Sequence, residues 1–298
     1  MNRLTAAYFI FVYNSDMYRT THLEPVDYLV IGHITRDLTN EGARLGGTVT
    51  YAALTAHALG LRVGIVTSWG SDLPLGPLGR IPIVNLPSER STTFENISSP
   101  QGRVQVIHSV ANSLDLNLIP DPWLKAPIVH LGPVAQEVEP SLIRHFPNAL
   151  IGITPQGWLR SWNNHGRVIF SEWPEASFVL GQAGAAVISV EDVGNEEERI
   201  EEMASYSRLL AVTENIEGAR LYWSGDVRRF RAPETSEVDP TGAGDIFAAA
   251  FFFRMYTTRD PWESARFATQ LATISITRSG LEGVPTPDEI HESMVEVY

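Results

Sequence analysis

The chain has 298 residues, 44% of them hydrophobic and 19% charged, which fits one large α/β domain with a small appendage and lies far from the disordered regime. A formal charge of -13 argues against a nucleic-acid or anionic-membrane partner, and zero cysteines exclude a disulfide framework, thiolate metal sites and a cysteine nucleophile. No apolar run approaches the roughly 20 residues of a membrane-spanning helix, so a soluble, cytoplasmic protein is expected.

Residues 1–26 read as an N-terminal extension. The apolar stretch 6–13 has no small-residue cleavage site behind it, and Met17 is an alternative start. The run 27–32 (DYLVIG) suits a buried strand of a mostly parallel sheet. Gly46-Gly47 then opens an expected helix over 48–59, closed by Gly60, and a strand follows at 63–68. This βαβ alternation predicts parallel strands covered by helices. Between 81 and 110 the texture changes: 81–86, 92–97 and 104–108 read as antiparallel strands with a turn at Pro100-Gln101-Gly102, so 81–110 is expected to form a small β lid.

Alternation resumes with strands at 128–131, 150–153, 186–189, 209–212 and 219–223. Helices are expected near 141–146 and over 196–206, 245–256 and 262–275, with a last helix starting at 285–289. His33, His57, His108 and His130 show no metal-like spacing, and the tryptophans between 158 and 173 read as packing residues.

The stretch 239–245, Asp-Pro-Thr-Gly-Ala-Gly-Asp, carries the most chemistry. Glycines let the backbone approach a ligand, and the N-terminus of the following helix favours phosphate. An aspartate at such an anion hole suits a base that takes the proton from a hydroxyl attacking a γ-phosphoryl group, which points to Asp245. The competing structural reading makes Asp245 an ordinary helix N-cap. A Walker A loop is excluded because the only lysine is Lys125, and no Gly-x-Gly-x-x-Gly follows the first strand, which disfavours a dinucleotide-binding dehydrogenase.

The motif DPTGAGD followed by IFAAAFFF resembles the C-terminal signature of the ribokinase-like (PfkB) carbohydrate kinases. Residues 32–37 (GHITRD) resemble that family's first strand, with an aspartate five residues after the glycine, and Gly46-Gly47 resembles its di-glycine signature. The resemblance runs from about Tyr28 to the C-terminus. It implies a Rossmann-like three-layer α/β sandwich over 27–298, with a mostly parallel sheet and a small β lid, and an ATP- and Mg2+-dependent kinase. Asp245 would be the base, with the amides of Gly242, Ala243 and Gly244 on the transferring phosphoryl group. Asp37, Gly46 and Gly47 would bind the acceptor, and Thr241 would belong to the nucleotide site.

Three places depart from the family pattern. Tyr51 stands where many sugar kinases carry asparagine, and an aromatic there is expected to reshape the substrate floor. The Asn-x-x-Glu element becomes Ser189 to Asp192, so magnesium would be organised by Asp192 through water. The loop at 213–218 keeps Thr213 and Gly218 but has Asn215, which tolerates positive φ.

GGTVTYAA, TTFEN with a following QGR, and PQGWLR resemble the branch that includes myo-inositol kinases. There Gln156, Trp158 and Arg160 would offer an amide, an aromatic wall and a guanidinium to a hydroxyl-rich ring. Other sugars or a nucleoside are alternative acceptors, and a catalytically silent ligand-binding protein is the rival from another class. The lid could cover its own pocket or lend an edge to a homodimer.

Overall fold

The structure, a computed structural model, describes residues 11–12, 23–70, 74–99 and 102–295. Most of the N-terminal extension, and Pro100 and Gln101 of the expected turn, lie outside the described residues. One ten-stranded sheet organises the chain, in the order Phe11–Val12, Ile83–Pro87, Val63–Trp69, Tyr28–Ile31, Ile128–Leu131, Leu150–Ile153, Ala185–Ser189, Leu209–Thr213, Ala219–Trp223, Asp226–Phe230. From Ile83–Pro87 to Leu209–Thr213 the neighbours run parallel, and the pairs at either edge are antiparallel.

Side chains alternate across a strand, and Tyr28–Ile31 shows what that does here. Tyr28 and Val30 join a core with helices Thr48–Ala58, Ala243–Thr258 and Pro261–Ser275. Leu29 and Ile31 join the opposite core with Trp123, Phe146, Leu180 and Met203. The result is a three-layer α/β sandwich with both faces of the sheet covered, as near-continuous apolar strands require.

Helices Thr48–Ala58 and Ala243–Thr258 are buried almost all round, 48–56 in the first and 246–253 in the second. A helix apolar on every side belongs inside the core, and these two pack on each other there. That central contact brings together the two sequence motifs nearly 200 residues apart (~200 by the spacing of Gly46 and Gly242).

The lid differs from the expected segment. It is a four-stranded sheet in the order Gly42–Gly46, Thr35–Thr39, Thr92–Ser99, Gly102–Ser109. Ile83–Pro87 belongs instead to the main sheet, parallel to Val63–Trp69, because its apolar residues continue the central core. The two strands that replace it come from 35–46, a mostly polar and partly exposed hairpin that carries little apolar alternation.

Elsewhere the expected helix near 141–146 is the short 3-10 helix Pro140–His145. The hairpin Arg160–Trp162 with Val168–Phe170, the helix Ala176–Gln182 and the strand Asp226–Phe230 were not anticipated from sequence. Trp158 and Trp173 stack with centroids 4.9 Å apart inside the second core, as packing residues should. Among the described residues no helix is long and apolar enough to cross a membrane.

Candidate active site

The 239–245 loop is fastened before it reaches the helix. Val238 and Asp239 both donate their amides to Ile276 O, at 2.8 and 3.1 Å. The Asp239 carboxylate accepts from Thr241 N (3.0 Å), Gly280 N (3.0 Å) and Ser279 Oγ (3.4 Å). Burial alone would raise its pKa, but these hydrogen bonds outweigh it and hold the carboxyl below its ordinary value.

Gly242 is the N-cap, with φ 82°, and no side chain caps the helix. A Cβ at Gly242 would lie 2.3 Å from the Tyr51 ring, so both the left-handed turn and the close approach require glycine. Asp245 is therefore not an N-cap; it is the third residue of helix Ala243–Thr258. The Ala243 amide donates to Pro240 O at 3.2 Å, while those of Gly244 and Asp245 find no acceptor in the preceding turn. Of the expected amides, Ala243 is thus already engaged, and Asp245 adds one that the sequence reading left out.

Burial pushes the Asp245 carboxyl up to about 6. A hydrogen bond from the Thr48 side chain and the charge of Arg160 pull it back, while the carboxylates of Asp192 and Asp37 push it further up. The structure thus gathers Asp245, Asp192, Asp37 and Arg160 within electrostatic reach of one another. Thr48 escaped the sequence reading, since no local spacing pairs it with residue 245.

On the acceptor side, Asp37 sits on lid strand Thr35–Thr39, and its Oδ1 accepts from Thr35 Oγ1 at 2.8 Å. Its other oxygen lies against Gly46, where a Cβ would come within 2.0 Å of Oδ2. Gly47 is the N-cap of Thr48–Ala58, and Thr50 Oγ1 donates to Gly46 O at 2.6 Å, locking the di-glycine turn. Tyr51, only 3% exposed, follows one turn into that helix.

Gln156 and Arg160 flank the other side. Gln156 Nε2 donates to Asp192 Oδ1 at 3.1 Å, and the Arg160 guanidinium carbon lies 5.9 Å from the centre of the Phe94 ring on the lid. Ser189 and Asp192 form a reciprocal cap on the short helix Val190–Val193: Ser189 N donates to Asp192 Oδ2 at 2.9 Å, and Glu191 N to Ser189 Oγ at 3.2 Å.

Thr213, Asn215 and Gly218 make a separate corner. Thr213 Oγ1 donates to Ile188 O at 3.3 Å, Asn215 adopts φ 52° and its Nδ2 donates to Glu191 Oε1 at 3.2 Å, and Gly218 closes the turn at φ 96°. Among the described residues no cluster of three or more acidic or histidine side chains could cage a metal. The donor set suits Mg2+, which keeps several waters and needs only one or two carboxylates beside substrate phosphates. Asp192 lies within electrostatic reach of Asp245, and its two oxygens accept from Gln156 Nε2 and Ser189 N.

Residues 152–288 match the pfkB family carbohydrate kinase family. Over 254 residues the chain is 26% identical to the cytidine kinase of Thermococcus kodakarensis, a match covering 76% of this chain and 87% of that protein. A shorter match of 40 residues is 52% identical to the inositol 3-kinase of Oryza sativa subsp. japonica, spanning 13% of this chain and 10% of that one. A solved pyrophosphate-dependent kinase in the ribokinase family, complexed with a pyrophosphate analog and myo-inositol, shares the fold at TM-score 0.75 and 19% identity, covering 90% of this chain and 100% of that chain.

Proposed function

We propose, from the match of residues 152–288 to the pfkB family of carbohydrate kinases and from the ribokinase fold, a kinase that phosphorylates a hydroxyl of a small polyol, with Mg-ATP as donor and myo-inositol or a related cyclitol or sugar as acceptor. One observation carries the reading: a partly buried carboxylate, Asp245, stands in the first helical turn beside the open amides of Gly244 and Asp245. An acceptor hydroxyl placed there attacks the terminal phosphorus as Asp245 takes its proton. The new O–P bond forms, the bridging P–O bond breaks, and ADP carries away the electron pair. First-turn amides and the helix dipole stabilise the phosphoryl oxygens, and positioning supplies most of the rest.

Asp37, braced by Thr35 and Gly46, would bind two acceptor hydroxyls, and Gln156, bonded to Asp192, and Arg160, within reach of Asp245, would add further polar contacts. Mg2+ supplies charge neutralisation at the donor phosphates, and Asp192 would hold it through water.

Inorganic pyrophosphate is the second donor reading, favoured by the fold shared with a pyrophosphate-dependent kinase. Cytidine or another nucleoside is the second acceptor reading, favoured by the match over most of the chain. The test is product release from purified protein with Mg-ATP or magnesium pyrophosphate against myo-inositol, common sugars, keto-deoxy acids and nucleosides. Turnover of one acceptor, lost by about 10²–10⁴-fold in Asp245→Asn, is the expected result. Tight ligand binding without turnover from either donor would favour a silent binding protein instead.

A further inference from the structure

Tyr51 occupies a position where the sequence pattern leads one to expect an acceptor contact, yet its surroundings are those of an internal strut. Only 3% of its surface is exposed, and its ring is pressed against Gly242 so closely that a Cβ there would fall 2.3 Å from Cδ1 and Cε1. Thr48, three residues earlier on the same helical face, reaches the Asp245 carboxylate. One turn of helix Thr48–Ala58 therefore meets the transfer loop twice, at its left-handed turn and at its carboxylate.

Resting on the kinase reading above, we propose that Tyr51 is a positioning residue for the phosphoryl-transfer loop and not a wall of the acceptor pocket. Its ring sets the height of the Gly242 turn and hence the place of the Gly244 and Asp245 amides on which the donor phosphate would rest. A substrate wall must be open to the ligand; this ring is buried, with Cδ1 and Cε1 close against the Gly242 turn. Burial, reinforced by the carboxylates of Asp245, Asp37 and Asp239, keeps the phenol protonated, so it adds no titration of its own to catalysis.

The two roles separate in kinetics. A strut acts on the chemical step and on donor-phosphate binding, whereas a wall acts on acceptor affinity. Tyr51→Leu should lower kcat by about ten- to a hundredfold, the cost of moving reacting groups by a fraction of an ångström to an ångström, with acceptor KM within about threefold of wild type. Tyr51→Phe keeps the ring and should stay within about threefold in both constants. A readout independent of turnover is the rise in Tm on adding magnesium pyrophosphate or Mg-ATP, which Tyr51→Leu should largely lose and Tyr51→Phe retain. If Tyr51→Leu does not fold, Tyr51→Met is read by the same criteria.

An acceptor KM raised about tenfold or more at unchanged kcat, or a full Tm response to donor in Tyr51→Leu, overturns the positioning role while leaving the kinase intact. Wild-type protein that turns over no acceptor and gains no stability from either donor overturns the kinase reading, and this role with it.

Discussion

In the proposed reaction Asp245 must be ionised to accept a proton, and its surroundings resist ionisation, so the protonation equilibrium near pH 6 should govern both rate and stability. The acid limb of kcat/KM is expected to fall off below about pH 6, where the carboxyl is protonated. For stability the sign runs the other way from that of a salt-bridged aspartate. The folded state holds the proton more tightly than the unfolded chain, whose value is near 3.8, so stability declines as pH rises from about 4 through 6. Above that window the full cost persists, about 1–3 kcal/mol after allowing for partial solvent screening. Asp245→Asn should therefore melt a few degrees higher than wild type at pH 7 and show no advantage at pH 4, as measured by thermal unfolding across pH. A variant less stable than wild type at pH 7 would contradict a carboxylate whose ionisation the fold disfavours. Asp245 was legible in sequence because glycines and helix start stand beside it; Thr48 and the contact of Tyr51 with Gly242 were not, because their partners lie almost 200 residues away (~200) and only packing joins them.

At the scale of elements, the site depends on two helices that show no amphipathic stripe. Helix Ala243–Thr258 is fixed by aromatic contacts deep below Asp245: Phe252, fully buried, meets the His130 ring edge-on at 5.0 Å, and His130 in turn bonds Tyr28 and Thr154 at 2.9 Å each. Burial holds His130 neutral, with its pKa pushed down to about 3, so this chain of polar groups stays uncharged at ordinary pH. Phe252→Ala removes the ring that seats the helix and should cost about 3–5 kcal/mol, read as a lower midpoint in urea with an unchanged slope. A loss under about 1 kcal/mol would mean that the core closes around the gap and the helix is held elsewhere. Apolar texture revealed these helices and the inner strands. It failed for lid strands Thr35–Thr39 and Gly42–Gly46, whose residues are partly exposed on a thin sheet, and it misplaced Ile83–Pro87, a strand short enough to suit either sheet.

Across the whole molecule, the proposed reaction joins groups from two sheets, the main sandwich bearing Asp245 and the lid bearing Asp37. The chain crosses between them just after Ile31, and the crossing is anchored by buried polar groups. Glu137, 2% exposed, accepts from His33 N (2.9 Å), Val134 N (3.0 Å) and Ala135 N (2.7 Å). His33 then bonds Thr92, at the start of the second lid crossing, and Asn112 O, at its exit, at 2.7 and 2.9 Å. Ile34 N donates to Thr67 Oγ1 in the main sheet at 3.0 Å. The carboxylate of Glu137 thus ties the lid's root to the loop that leads toward Gln156 and Arg160. Nothing in the local sequence marks Glu137, since its partners are backbone amides that any residue could supply. Glu137→Ala would orphan three buried donors and should cost about 3–5 kcal/mol, whereas Glu137→Gln keeps one acceptor oxygen and should cost less. Because the anchor orients Asp37 and not Asp245, a folded Glu137→Gln should show a higher acceptor KM with kcat little changed, the mirror image of the Tyr51→Leu pattern. Equal losses in kcat and KM would mean that the lid root also sets the transfer loop, and that the two bodies move as one.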